Sequence, residues 1–494
     1  MILDRLYEWA RLQPHKTAII QDGVAISYAK FAGAIERTRK FLEHQQLPRG
    51  STAAILVADL AAGWVVSIAA RAIGLNTVGV TSVEQAHQLQ LRDLTSILTV
   101  DTAPRIHNLA KLDAAVARLV VVPLSTYAKD DRGDAPEPLE KNSLYGGHIL
   151  CTSGTTGSYK KLMMSALQED RRNARRAEIL GVDGDSVLNG MAFGLWTGAG
   201  YKQPLAVWHR GASIVFDHTR DWHHNLFKFD VSRVFLTPLQ VREALASRSP
   251  PAGNGRTLGN GLIAVSSGVL PSDVADHVVS ELSPQLVIQY SATELIDVPM
   301  EAWYKNKDDS IWLQVVNDCR VEIVDELGRE CSPGQEGEIR IARKELDASS
   351  YLENDAVSRR VFRDGYFYPG DMAVRRADGR IRILGRSEDV INIHGEKVAT
   401  APIEQDIQRH LGADEVCIFG HVNEAGREEL IVAIQSSSAP QQARLDQIRK
   451  TFKFFEAVHF HVLKEFPRTD IGTNKVRRVA LKALVVNRNP KART

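Results

Sequence analysis

A chain of 494 residues exceeds what one hydrophobic core accommodates, so at least two domains are expected. Hydrophobic residues at 44% and charged residues at 24% give the balance of a globular protein, not of a disordered or fibrous one. Lys and Arg number 61 against 60 for Asp and Glu. The broad basic field of a nucleic-acid protein is missing, and no nucleic-acid partner is expected.

In chain order, residues 1–16 mix charges of both signs and carry no apolar core, unlike a secretory signal. The longest apolar run, LAAGWVVSIAA from Leu60 to Ala70, lies between Asp59 and Arg71 and is too short to span a bilayer. It predicts a buried helix, and no membrane span is expected. Cys151, Cys319, Cys331 and Cys417 share no metal-ligand spacing, which predicts reduced thiols and a cytoplasmic location.

Short β-rich runs alternate with helical patterns in the first 300 residues: AAILVAD, HILC, GLIAVSS and PQLVIQY. This predicts an α/β domain in which buried parallel strands deliver polar loops to the edge where ligands bind. Beyond about residue 310 come shorter alternating strands (RVEIVDE, GEIRIAR, RIRILGR, VINIHG) broken by D-G and H-G turns, the pattern of a more antiparallel, barrel-like part. The last hundred residues predict a small α+β unit, with a helix through PIEQDIQRHL and strands at EVCIFGH, ELIVAIQ and AVHFHVL. The polar junction Arg386–Asp389 divides the chain into 1–386 and 387–494.

The chemistry concentrates in loops. In CTSGTTGSYKK (151–161) every residue from Thr152 to Ser158 is glycine or carries a hydroxyl, and Lys160 and Lys161 follow. A Walker loop is excluded, because Tyr159, five residues after Gly154, stands where its second glycine would be. Hydroxyls and backbone N–H groups beside two lysines still suit a phosphate chain. RRNARR (171–176) predicts a helix face of stacked arginines that reads as solvated, with a phosphate contact as its sharper reading. HTRDWHH (218–224) reads as a polar surface loop rather than a metal site.

TSGTTG followed by lysine resembles the phosphate-binding loop of the adenylate-forming superfamily, which contains acyl-CoA synthetases, peptide-synthetase adenylation domains and luciferases. Further segments are similar in the same order. The first segment, Thr152, Ser153, Gly154, Thr155, Thr156 and Gly157 with Lys160, is implied to hold the ATP phosphates. In QYSATE, the resemblance puts Tyr290 on adenine, Ser291 at the family's glycine, Thr293 on phosphate and Glu294 on Mg2+. SSGVLP supplies Gly268 at the adenine, and YFYPGD supplies Asp371 for the ribose hydroxyls. GRSEDVINIHGEK resembles the hinge and thiol tunnel: Arg386 at ribose or phosphate, Glu388 and Asp389 at the hinge, Gly395 along the path of a pantetheine thiol. PRTDIGTNK implies that Lys475 bridges the carboxylate and the α-phosphate, although Thr473 and Asn474 are two residues more than the family's spacing.

MAFGLWTG resembles the segment that carries F-H in CoA ligases and F-D in amino-acid adenylation domains; here Gly194 follows Phe193. With no acid to pair an α-ammonium, the substrate is expected to lack one. Phe193, Gly194, Leu195 and Trp196 are the expected acyl-pocket walls, with the missing histidine leaving room for a bulky acid. The resemblance implies two stacked α/β sheets plus a distorted β-barrel and a small mobile C-terminal α+β domain. It further implies ATP-dependent formation of acyl-AMP from a small carboxylic acid, followed by thioester formation with CoA. A free-standing ligase that loads a carrier-protein phosphopantetheine in trans, and a non-catalytic adenylate-binding member, remain open.

Overall fold

The structure is a computed structural model that describes residues 1–101, 118–127, 145–153, 159–191, 193–217, 222–246, 258–393, 396–422, 428–452, 455, 457–468 and 476–486. Two compact units emerge. One takes in 1–154, 159–310 and 343–359, the other 311–342 and the chain from 360 onward.

The first unit holds the two parallel-dominated sheets that the alternating pattern predicts. In one, the order is Arg118–Val122, Leu94–Val100, Thr52–Ile55, Asn76–Gly79, His148–Ser153, all parallel, with Tyr159–Met164 antiparallel at the edge. In the other, Gln285–Tyr290, Leu262–Val265, Arg233–Leu236, Val187–Met191, Ser213–Phe216 and Thr17–Gln21 run parallel. The helices Leu60–Ala72 and Gly198–His209 pack against strands of both sheets. This position explains why the first reads as apolar on every side, and all of its residues are buried. It starts at Asp59, whose carboxylate accepts from Ala62 N at 2.8 Å, and Gly74 at φ +90° follows its end. Trp64 and Trp208, both fully buried, meet edge-on at 5.0 Å in this layer. Each buries roughly 150–250 Å2, about 4–6 kcal/mol of gross transfer free energy.

In the second unit, Val321–Val324, Glu336–Ala342, Phe362–Arg363, Tyr366–Phe367, Asp371–Arg375 and Ile381–Arg386 form an antiparallel sheet. Among the described residues its pairings do not close into a barrel. A three-stranded sheet, Glu415–Val422, Glu428–Gln435 and Val458–Leu463, follows the hairpin Val390–Ile393/Glu396–Ala399. Its period-two pattern is buried on both faces. Val416, Ile418, Leu430 and Val432 meet the helices Thr400–Leu411 and Gln442–Thr451, while Cys417, Phe419, Ile431 and Ala433 meet Arg478–Val486.

Candidate active site

Strand Gln285–Tyr290 ends at the edge of its sheet and releases Ser291–Leu295, the loop that carries Thr293 and Glu294. Three neighbours fix it. Ser291 Oγ lies 3.2 Å from Ser266 Oγ, which draws the loop toward Gly268; a Cβ on Gly268 would stand 3.1 Å from Pro238 Cγ. Segment 344–351 grips the other side: Ala348 N donates to Glu294 O at 2.8 Å and Ile296 N to Asp347 at 2.8 Å. Finally, the helix Gly198–His209 approaches so closely that a Cβ on Gly198 would lie 2.8 Å from Thr293 Oγ1, which only glycine allows.

The Glu294 carboxylate is oriented by a residue that no motif announced. Tyr351 donates its hydroxyl to Oε1 at 2.6 Å, and Lys160 Nζ sits 5.5 Å from the centre of the same ring. Lys160 is brought there by the antiparallel pairing of Tyr159–Met164 with His148–Ser153, in which Thr152 faces Lys160 and Ser153 faces Tyr159. Gly154, Thr155, Thr156 and Gly157, with Ser158, lie outside the described residues, as do the side chains of Thr152 and Ser153. Lys161 is not a phosphate ligand. Its ammonium is buried on Glu353 at 2.7 Å and on the Leu89 carbonyl at 2.8 Å. Tyr159, where the family has proline, packs against the core that contains Ile97 and Ile149.

Lys202 was also invisible in the sequence. From the helix Gly198–His209 its Nζ donates to Thr293 O at 2.6 Å and Leu295 O at 3.0 Å, the two carbonyls that bracket Glu294. Burial pushes its pKa down to about 7; Arg176 and Arg172 push the same way, and Glu294 and Asp347 oppose. The RRNARR helix is therefore not a solvated face. Arg172 donates to Leu346 O, Arg175 to Asp297, Arg176 is buried, and only Arg171 with Glu345 is exposed.

Around the acyl segment, Phe193 and Leu195 are buried and Trp196 is partly exposed. His148 Nε2 lies 3.0 Å from Leu195 O and Nδ1 2.8 Å from Thr77 Oγ1; since a carbonyl only accepts, the proton is assigned to Nε2. Burial pushes this imidazole down to about 3, so it stays neutral, stacked on Tyr201 at 4.2 Å. The room expected at Gly194 is not open. A Cβ there would stand 2.3–2.6 Å from the Trp196 ring, because the indole folds back over the glycine. Gly194→Ala is expected to drive the indole off and raise KM for the best acid by about tenfold or more, the scale of one hydrophobic-pocket contact. KM across an acid panel, with tryptophan fluorescence, checks this; an unchanged KM for the best acid defeats it.

In the second unit, Asp371 and Arg386 are register partners, joined by an ion pair at 3.2 Å, with Arg386 Nη1 donating to Pro369 O at 2.6 Å. Asp389 pairs with Arg478 at 3.0 Å; burial raises its pKa against the pull of Arg478. Glu388 is exposed in the preceding turn. Gly395 and Lys475 lie outside the described residues, although the Arg468–Val476 bridge and Arg477 N to Pro467 O at 2.8 Å flank the latter's segment. In HTRDWHH, residues 218–221 are likewise outside. Trp222 and His223 are buried on the helix Trp222–Lys228 rather than in a surface loop, and His224 is exposed.

Among the described residues no group of three His, Cys, Asp or Glu forms a metal cage. A lone, hydrogen-bonded carboxylate such as Glu294 fits magnesium, which keeps water and phosphate oxygens and needs few protein ligands. It does not fit structural zinc.

Parallel strands here lead to a hydroxyl-rich segment and to a loop with a positioned carboxylate, with a lysine over the tyrosine that holds it, an arrangement with the chemistry for a nucleotide phosphate. The model of the family described as AMP-binding enzyme matches residues 6–351, and the chain belongs to that family. It is 25% identical to an indoleacetate–CoA ligase of Aromatoleum aromaticum, over 98% of each chain. Its fold resembles that of the anthranilate CoA ligase AuaEII in complex with anthranoyl-AMP (TM-score 0.79, 18% identity, 98% of this chain and 96% of the other). It likewise resembles that of Bacillus subtilis O-succinylbenzoate coenzyme A synthetase in complex with ATP and magnesium ion (TM-score 0.77, 19% identity, 97% and 99%). The large N-terminal α/β part with a small C-terminal part is thus the architecture of these adenylate-forming ligases.

Proposed function

We propose that the protein is an AMP-forming acid–thiol ligase. It converts a carboxylic acid without an α-amino group and MgATP to acyl-AMP and pyrophosphate, then transfers the acyl group to the thiol of CoA. The observation that carries this reading is the assembly of Glu294, held by Tyr351, with Lys160 over the same ring beside the hydroxyl-rich segment. The relative aligned along its whole length, a CoA ligase for an aryl-substituted acid, supports CoA as acceptor and an aromatic or bulky acid as substrate.

In this mechanism the acid binds as its carboxylate against Phe193, Leu195 and Trp196. No acid follows Phe193 to hold an ammonium. Tyr290 stacks on adenine; Thr152, Ser153, Gly154, Thr155, Thr156, Gly157 and Lys160 hold the phosphates with Thr293, and Gly268 and Ser291 border the adenine. Asp371 accepts the ribose hydroxyls, and Arg386 keeps that carboxylate ionised and aimed. Bound magnesium, on Glu294, would neutralise phosphate oxygens as pyrophosphate leaves. Lys475 steadies the charge that builds on the α-phosphoryl oxygens as the carboxylate attacks. Residues 387–494 then swivel about Glu388 and Asp389 relative to 1–386, withdraw Lys475 and present the Gly395 path to the thiol, whose sulfur attacks the acyl carbon and expels AMP. With ATP and CoA as substrates, the cytoplasm is the proposed location; no described helix is long and apolar enough to cross a membrane.

Pyrophosphate exchange against arylacetic, benzoic and fatty acids tests the reading. Exchange with an acid of one class, and AMP release on adding CoA, is expected. Exchange followed by AMP release with a phosphopantetheinylated carrier but not with CoA assigns the acceptor to a carrier protein; ATP binding without exchange by any acid makes the protein a non-catalytic adenylate binder.

A further inference from the structure

We propose that Lys202 is a positioning residue for the magnesium ligand, acting through the backbone of the loop that bears Glu294; the inference rests on the adenylate-forming reading above. The loop between Tyr290 and Met300 belongs to neither helix nor strand, so its carbonyls have no ladder to accept from. Lys202 meets this need at two points, Thr293 O and Leu295 O, which flank the glutamate on both sides. Glutamate direction is set by its Cα, and its Cα by these two peptide planes. One helical turn earlier, Gly198 lets the same helix touch Thr293. Tyr351 fixes the carboxylate end and Lys202 the backbone end of one side chain.

A structural filler would be better served by an apolar residue, because desolvating an ammonium costs several kcal/mol unless its donors are used. Arg172 and Arg176 nearby make this position still less hospitable to a cation. Retaining lysine there is explained by its reach: four methylenes and three donors span two carbonyls that no shorter donor meets together.

The test is binding of Mn2+, a spectroscopically visible stand-in for magnesium, to the full-length protein with a non-hydrolysable ATP analogue, read by electron paramagnetic resonance. In Lys202→Met the Mn2+ dissociation constant is expected to rise about tenfold or more, the usual cost of losing a supporting contact behind a metal ligand. Lys202→Gln, which keeps one donor, is expected in between. Tyr351→Phe is expected to weaken Mn2+ as well, and its combination with Lys202→Met to cost less than the product of the two, since both act on one side chain. Lys202→Gln carries the comparison if Lys202→Met does not fold. Affinity within about twofold of the parent in folded variants overturns the proposal, as does strict multiplicativity with Tyr351→Phe. A parent protein that binds no Mn2+ with nucleotide overturns the adenylate-forming reading itself, a result distinct from an unchanged variant.

Discussion

Glu294→Gln is expected to slow pyrophosphate exchange by about two to three orders of magnitude, ~3–4 kcal/mol at the transition state. Glutamine keeps the length of the side chain, and its amide oxygen still accepts from the Tyr351 hydroxyl, so the loop is expected to hold its shape. What disappears is the negative charge that a hard cation requires. Tyr351→Phe provides the graded comparison. It leaves the charge and removes one hydrogen bond to a charged group, worth about 1.5–3 kcal/mol, so exchange should fall by about tenfold or more. The order Glu294→Gln below Tyr351→Phe below parent is the expected result in initial-rate exchange at saturating ATP. Retention of more than about a third of parental exchange by Glu294→Gln would remove the glutamate from its assigned role.

Why Tyr351 and Lys202 escaped sequence reading follows from how each acts. QYSATE is a local string, and its strand and loop are legible because period and turn residues are neighbours in sequence. Tyr351 lies 57 positions beyond Glu294, and Lys202 91 positions before Thr293, in segments whose own texture announces only a loop and a helix. A single tyrosine or lysine carries no pattern. The same limit misplaced the RRNARR helix: four arginines within six residues look solvated until Asp297, 122 positions on from Arg175, and Leu346 come to meet two of them. At Gly194 the failure was of another kind. The missing side chain predicts space, but a residue two positions away, Trp196, already fills it. By contrast, the C-terminal sheet was legible almost strand for strand, because alternation with burial on both faces is a local signal.

The helix Leu60–Ala72 shows how a charge can be read correctly as a boundary and still be misjudged in role. Arg71 closes the apolar run in sequence, yet its side chain is as buried as the alanines around it. Nη2 meets Glu169 at 2.5 Å and Nε meets Gly146 O at 3.0 Å, while the other Glu169 oxygen accepts from Ile2 N at 3.2 Å. Desolvation alone would lower the pKa of Arg71; Glu169 outweighs it, and the guanidinium stays charged. Glu169→Gln should therefore destabilise the fold by about 3–5 kcal/mol, because it strands a buried cation without a counter-charge. Pairing it with Arg71→Met, which removes that cation, should restore most of the loss, since a well-packed apolar replacement of a buried pair is often neutral. Denaturant unfolding of the single and double variants measures both terms. The pair also has a functional edge: Gly146, held by Arg71, opens the segment that enters His148–Ser153, the strand from which the hydroxyl-rich loop departs. Loss of exchange in Glu169→Gln that returns with Arg71→Met would trace that loss to the seating of this strand. A single variant as stable as the parent would show instead that water or a local shift solvates Arg71, and that the strand is held by its ladders with Asn76–Gly79 and Tyr159–Met164.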